Sequence, residues 1–160
     1  MSVSPSGIEP SSWQPAGLSD QVAILKLMQS FYLEEGLGFS EGNQGSALRE
    51  VLASSILGQV FVFRADASAE ILGYLVLTWS CSLEFGGRFV LLDELFLIPS
   101  VRGRGEGQRA VEFAANWARS KGAKALRLEL AHENARARAT YERSGFAGHA
   151  RELMTLRLVV

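Results

Sequence analysis

A chain of 160 residues can form one domain with a sizeable hydrophobic core, and 48% hydrophobic against 21% charged residues is the balance of a folded globular protein. With 16 basic and 17 acidic residues the formal net charge is -1, which excludes the broad positive field of a nucleic-acid or anionic-membrane binder. The single cysteine, Cys81, excludes an internal disulfide, and with only His132 and His149 beside it no metal site is expected.

Residues 1–12 are rich in Ser, Pro and Gly and are expected to form a disordered tail. They lack the basic start and apolar stretch of a secretory signal. No run approaches the roughly 20 apolar residues of a membrane-spanning helix. A cytoplasmic location is therefore the default, and residues 13–160 read as a single domain.

Ser12-Trp13-Gln14-Pro15-Ala16 suits a short edge strand, because proline tolerates an edge. Ser19 is placed to cap a helix, with Asp20 in its first turn. Leu25, Met28 and Tyr32 follow at i, i+3, i+7 and face a core. Gly36, Gly38, Gly42 and Gly45 are read as breaks, followed by a shorter helix carrying Leu48, Val51 and Leu52.

Residues 59–64 and 71–79 are rich in β-branched and aromatic side chains, and the polar link Asp66-Ala67-Ser68 makes them an antiparallel pair. A third strand spans about 88–98 and is apolar on both faces except at Asp93 and Glu94, as in the centre of a sheet. Pro99 ends it, and residues 101–108 open a helix that Gly122 closes. A strand over 126–130, a helix over about 135–144 ending at Gly145, and a strand over 153–159 complete the chain. The fold class is α/β with a mixed central sheet.

Chemistry concentrates in Arg102-Gly103-Arg104-Gly105-Glu106-Gly107-Gln108. Three glycines at alternate positions between a strand and a helix let backbone N–H groups turn inward. With the helix dipole behind them they suit a phosphate or pyrophosphate. Arg102 and Arg104 add charge-assisted donors. No Gly-Lys-Ser/Thr is present, and a G-x-G-x-x-G that started at Gly103 would need glycine where Gln108 stands. A purely structural turn is the plainer alternative.

Arg102-x-x-Gly105-x-Gly107 resembles the pyrophosphate motif of the GNAT superfamily of N-acetyltransferases. Residues 133–146 resemble that family's closing helix, with Asn134 at the start, Tyr141 seven residues later, and Gly145-Phe146 at the end. One helix and one strand separate the two motifs, as in the family, and the likeness extends over about 13–159. The resemblance implies a mixed sheet with two splayed central strands, flanked by helices and holding acetyl-CoA as co-substrate. It implies that backbone groups around Leu95, Leu97 and Ile98 pair with the pantetheine arm. Amides from Gly103 to Gln108, through Arg104, Gly105, Glu106 and Gly107, would hold the pyrophosphate, and Asn134 and Tyr141 would face the coenzyme. Glu106 departs from the family's usual apolar residue and is expected to turn to solvent, pairing with Arg102 or Arg109.

Acetylating an amine requires the removal of a proton from the ammonium and the return of one to the leaving thiolate. The family often carries an acid on the central strand, which makes Glu94 the first candidate base and Asp93 the second. Neighbouring strand residues face opposite sides, so the two should not share one role. A structural pairing for either carboxylate is the alternative. Asn134, Ala137 and Tyr141 share a helix face, and a phenol with an ordinary pKa of about 10 remains a proton donor to sulfur. Cys81 reads as a buried small hydrophobe.

The acceptor is a small-molecule amine or a protein lysine or N-terminal amine. Glu84, Asp93 and Glu94 favour a cationic one, such as a polyamine or an aminoglycoside. A homodimer through the terminal strand is expected from the likeness to small bacterial members, which residues 82–88 share. A non-catalytic acyl-CoA-binding module is the rival reading.

Overall fold

The computed structural model describes residues 12–64 and 70–158. The expected tail up to residue 11, the link Asp66-Ala67-Ser68 and Val159 lie outside the described residues. The chain packs as two compact units, one running to Glu129 and a smaller one beginning at Leu130.

The first unit contains β1 (Ser12–Pro15), α1 (Gln21–Glu34), α2 (Glu41–Ala53), β2 (Gly58–Arg64), β3 (Gly73–Ser82), β4 (Gly87–Leu97), α3 (Glu106–Ser120) and β5 (Leu126–Leu128). The sheet follows the order β1-β2-β3-β4-β5. Neighbours from β1 to β4 are antiparallel, and β5 lies parallel to β4. This is the expected α/β fold with a mixed sheet flanked by helices.

Strand alternation sends apolar side chains to both faces of β2. Val60 and Val62 join Tyr74, Val76 and Phe96 under Ile24 and Met28 of α1 and Leu48 of α2. Phe61 turns to the other face, where its ring lies 4.8 Å from Phe113 and 5.8 Å from Trp117 of α3. Trp13 stacks 6.3 Å from Phe113 and 5.4 Å from Phe63. Each such side chain taken from water contributes about 1.5–3 kcal/mol, which fixes helices on both sides of β4.

Several boundaries differ from expectation. Leu18–Asp20 forms a 3-10 turn before α1, so Ser19 caps nothing. The Asp20 carboxylate instead accepts from the Gly17 N–H at 3.0 Å and pairs with Arg64 at 2.7 Å. Gly42 and Gly45 lie inside α2 rather than breaking the chain. A Cβ on Gly45 would stand 3.5 Å from Leu25 Cδ1, an ordinary contact, so this part of α2 faces α1. Pro99–Val101 is a 3-10 turn and α3 starts only at Glu106. Cys81 is exposed, not buried, because β3 continues past the core to Ser82.

The second unit contains α4 (Ala135–Arg143). Residues 151–158 form neither helix nor strand, which corrects the expected terminal strand. A strand is stabilised only by a paired ladder, and the described residues of this unit hold no other strand to supply one. Leu153, Met154, Leu156 and Leu158 are accordingly exposed.

Candidate active site

The β4–β5 pairing opposes Val90 to Leu126 and Leu92 to Leu128, then stops, while β4 continues to Leu97. On its other side β4 remains paired to β3, and the Ile98 N–H donates to the Leu72 carbonyl at 2.9 Å. Alternation along an antiparallel ladder therefore turns the N–H and C=O of Leu95 and Leu97 away from β3, toward the edge that β5 has left. Ile98 turns its amide the opposite way.

The divergence coincides with an irregularity in β4. Val76 opposes Glu94 while Leu77 opposes Leu92, so Asp93 is the extra residue of a bulge. A bulge bends and twists its strand and breaks strict two-residue alternation. Asp93 and Glu94 are thus not simply opposite-facing neighbours. The Asp93 charge acts on Glu94, and Glu129, just past β5, acts on Asp93.

Beyond β4 the chain reaches Gly103 and Gly105, with φ of 79° and 82°. Only glycine adopts this region at little cost, and Gly105 serves as the N-cap of α3. The first α3 backbone bond in this turn is donated by Arg109 N–H to the Gly105 carbonyl at 3.0 Å. The amides of Gly107 and Gln108, in the first turn before it, have no intrahelical acceptor and point out of the helix start. Glu106 pairs with Arg109, whose Nη2 also donates to the Arg104 carbonyl at 2.7 Å.

Arg102 is turned back rather than outward. Its Nε donates to the Leu97 carbonyl at 2.7 Å, and its Nη2 meets both oxygens of Glu34 at 2.9 and 3.1 Å. It ties the end of β4 to the end of α1 and so sets where the glycine loop begins.

Glu94 has a phenol on each carboxylate oxygen. Its Oε1 accepts from the Tyr32 phenol at 2.7 Å and its Oε2 from the Tyr74 phenol at 2.8 Å. Burial pushes the Glu94 carboxyl above the ordinary carboxylate range; the two phenols oppose that shift and the Asp93 charge adds to it. Desolvation also raises Asp93, with Glu129 as a second cause. Both phenols are raised above the ordinary tyrosine value, chiefly by burial and then by Glu94, so they stay protonated donors. Neither tyrosine stood out in the sequence as a partner of Glu94. Tyr32 read as a core-facing helix residue, and 62 and 20 residues separate the two from Glu94. The available signal was alternation, which sets Tyr74 and Val76 on the face that α1 covers.

In the second unit, Asn134 Oδ1 accepts from the Ala137 N–H at 3.1 Å and caps α4. Asn134, Ala137 and Tyr141 are all partly covered, as one helix face requires. The Tyr141 ring packs edge-on against Phe146 at 5.8 Å. Among the described residues, no three His, Cys, Asp or Glu side chains come together to hold a metal, and no helix is long and apolar enough to cross a membrane.

The chain is similar to several known proteins. It is 34% identical over 82 residues to an uncharacterized N-acetyltransferase of Bacillus subtilis strain 168, YhfO; the match covers 51% of this chain and 55% of that one. The chain thus spans about half the length of this curated relative. An integron cassette protein from the mobile metagenome of Cole Harbour Salt Marsh superposes with a TM-score of 0.82 at 28% identity, covering 96% of this chain and 94% of its own. The aminoglycoside N-acetyltransferase AAC(6')-Iy, solved in complex with CoA, shares the fold with a TM-score of 0.77 at 17% identity, over 97% of this chain and 99% of its own. Residues 28–146, which run from α1 through the glycine loop to the end of the Tyr141 helix, match the Acetyltransferase (GNAT) family, and the chain belongs to that family.

Proposed function

We propose that the chain transfers the acetyl group of acetyl-CoA to a primary amine by direct attack in a ternary complex. The observation that carries this reading is the β4 edge that β5 leaves at Leu95 and at the Leu97 N–H, followed by the helix-start amides of Gly107 and Gln108. An extended amide-containing arm can pair with such an edge as a strand would, and a pyrophosphate suits the amides beyond it. The CoA complex of a protein with the same fold supports the choice of coenzyme.

In this reading Glu94 accepts a proton from the acceptor ammonium, with Asp93 as the second candidate. The amine nitrogen then bonds to the acetyl carbon, the carbon–sulfur bond breaks, Tyr141 protonates the departing sulfur, and the second proton lost by the nitrogen returns through water to the Tyr141 phenol. Support for Tyr141 comes from the ordered pair of motifs and its position on α4. The acceptor is a cationic amine, since Asp93, Glu94 and Glu129 concentrate negative charge near the bulge. Because a base must be ionised and burial raises Glu94, kcat/KM is expected to keep rising with pH above the ordinary carboxylate range.

The test is release of free thiol from acetyl-CoA against a panel of polyamines, aminoglycosides and lysine peptides, with calorimetric titration of CoA alongside. Undetectable binding at millimolar CoA overturns the reading. Tight binding without thiol release from any amine favours a non-catalytic acyl-CoA module instead. The reading also includes a homodimer, supported by the exposed Leu153, Met154, Leu156 and Leu158; a monomer by light scattering at micromolar concentration removes that part.

A further inference from the structure

The side chains packed beneath α1 are mostly apolar. There the Glu94 carboxylate sits with a phenol on each oxygen, Tyr32 from α1 on Oε1 and Tyr74 from β3 on Oε2. The two phenols differ in their surroundings. Tyr74 has no exposed surface and lies within the core formed by Ile24, Met28, Val60, Val62 and Phe96. Tyr32 is half-buried at the end of α1, with Phe31 and Phe39 rings edge-on at 5.8 and 5.7 Å, and the Gln44 amide of α2 acts on its hydroxyl.

We propose that Tyr32 and Tyr74 are positioning residues for acetyl transfer, clamping Glu94 between them so that its Oε1, on the Tyr32 side, receives the proton of the acceptor amine. The inference rests on the reading of Glu94 as the base. A carboxylate oxygen has two acceptor positions, and each phenol fills one, so each oxygen retains a second. Around Oε2 that position lies beside Tyr74, which has no exposed surface. Around Oε1 it lies beside the partly exposed Tyr32, the open end of the pair. The ammonium gives one proton to Oε1, which leaves a neutral amine and a carboxylic acid. The acid returns the proton to water once the acetylated product has left.

The clamp also answers an electrostatic problem. A carboxylate removed from water would take up a proton and cease to be a base. Two phenol donors restore part of the lost solvation of the anion, and because their own acidity is suppressed they cannot protonate it themselves. The groups acting on Glu94 are the phenols from α1 and β3 and, on β4 itself, the Asp93 charge, which works against ionisation. Glu129 reaches Asp93, and Gln44 from α2 is neutral. A clamp that only braced α1 against the sheet would also move the titration of Glu94, but it would leave the acidic limb of kcat/KM in place.

The experiment is a carbon-detected NMR titration of the free protein with labelled glutamate, in wild type, Tyr32→Phe and Tyr74→Phe, using Glu94→Gln to assign the resonance. Removing a donor to a charged group is expected to raise the Glu94 titration by about one pH unit in each variant. The acidic limb of kcat/KM should move upward with it, and should vanish in Glu94→Gln. Thermal unfolding shows whether Tyr74→Phe still folds; the half-buried Tyr32→Phe carries the test by itself if it does not. An unshifted Glu94 titration in folded Tyr32→Phe overturns the clamp. So does a fall in kcat whose pH limb stays in place, since a structural brace would produce that. The titration needs neither coenzyme nor amine, so a shifted Glu94 with no thiol release from any amine overturns the acetyl-transfer reading and not the clamp.

Discussion

Gly107→Val is expected to weaken CoA binding by about a hundredfold or more while the free protein unfolds at nearly the wild-type temperature. Gly107 lies in the first turn of α3 without a positive φ, and a Cβ built on it meets no heavy atom within 4 Å. The free protein therefore has room for the side chain. A pyrophosphate seated over the helix-start amides does not, because the branched side chain projects beside its own N–H. Losing two amide contacts to a charged ligand, at about 1.5 kcal/mol each, corresponds to about a hundredfold in affinity. Gly107→Ala separates the two effects further: removing glycine from a helix favours folding by up to about 1 kcal/mol, so stability rises as binding falls. Gly105 is the poorer probe. Its φ of 82° makes any L side chain there cost about 1–2 kcal/mol, which mixes folding with binding. Calorimetric titration and thermal unfolding measure the pair, and a Gly107→Val protein that binds CoA like wild type removes the pyrophosphate from the start of α3.

Tyr141→Phe is expected to cut turnover by about 10²- to 10⁴-fold, the usual contribution of one positioned proton donor, with acetyl-CoA affinity nearly unchanged. The hydroxyl matters as charge develops on sulfur, and an interaction made only in the transition state lowers kcat rather than binding. The ring itself remains against Phe146, so α4 keeps its packing. Glu94→Gln should behave differently. It removes the base, so its defect should shrink at high pH, where the free amine is already abundant, whereas the Tyr141→Phe defect should not. Stopped-flow rates for both variants across pH with one amine substrate make the comparison. An unchanged turnover in Tyr141→Phe means that the thiolate leaves unassisted or takes its proton from another group.

Elements with a strong local signal were legible in the sequence. The Val and Phe run of β2, the apolar β4 and the alternating Leu126 and Leu128 declare themselves through side-chain type and period. Their extents were less legible. Gly42 and Gly45 argue locally against a helix, yet α2 forms around them because its burial against α1 outweighs the intrinsic cost of glycine. The segment 153–158 argues locally for a strand, yet pairing is a property of two segments, and propensity in one of them does not create the other.

The sequence by itself determined the order of elements from β1 to α4, the α/β class, the glycine run between a strand and a helix, and the single-faced helix carrying Asn134 and Tyr141. All of these are set by residues within a few positions of one another. Only the tertiary structure decided that β5 parts from β4 at Leu92, that Asp93 is the residue bulged out of register, and that Arg102 turns back to the Leu97 carbonyl and Glu34. It alone brought Tyr32 and Tyr74 onto the two oxygens of Glu94. A hydrogen bond between residues 62 positions apart leaves no periodic trace in the chain. It exists because the apolar faces of α1 and β3 are both buried against the same core, which brings their phenols to the partly buried Glu94 carboxylate.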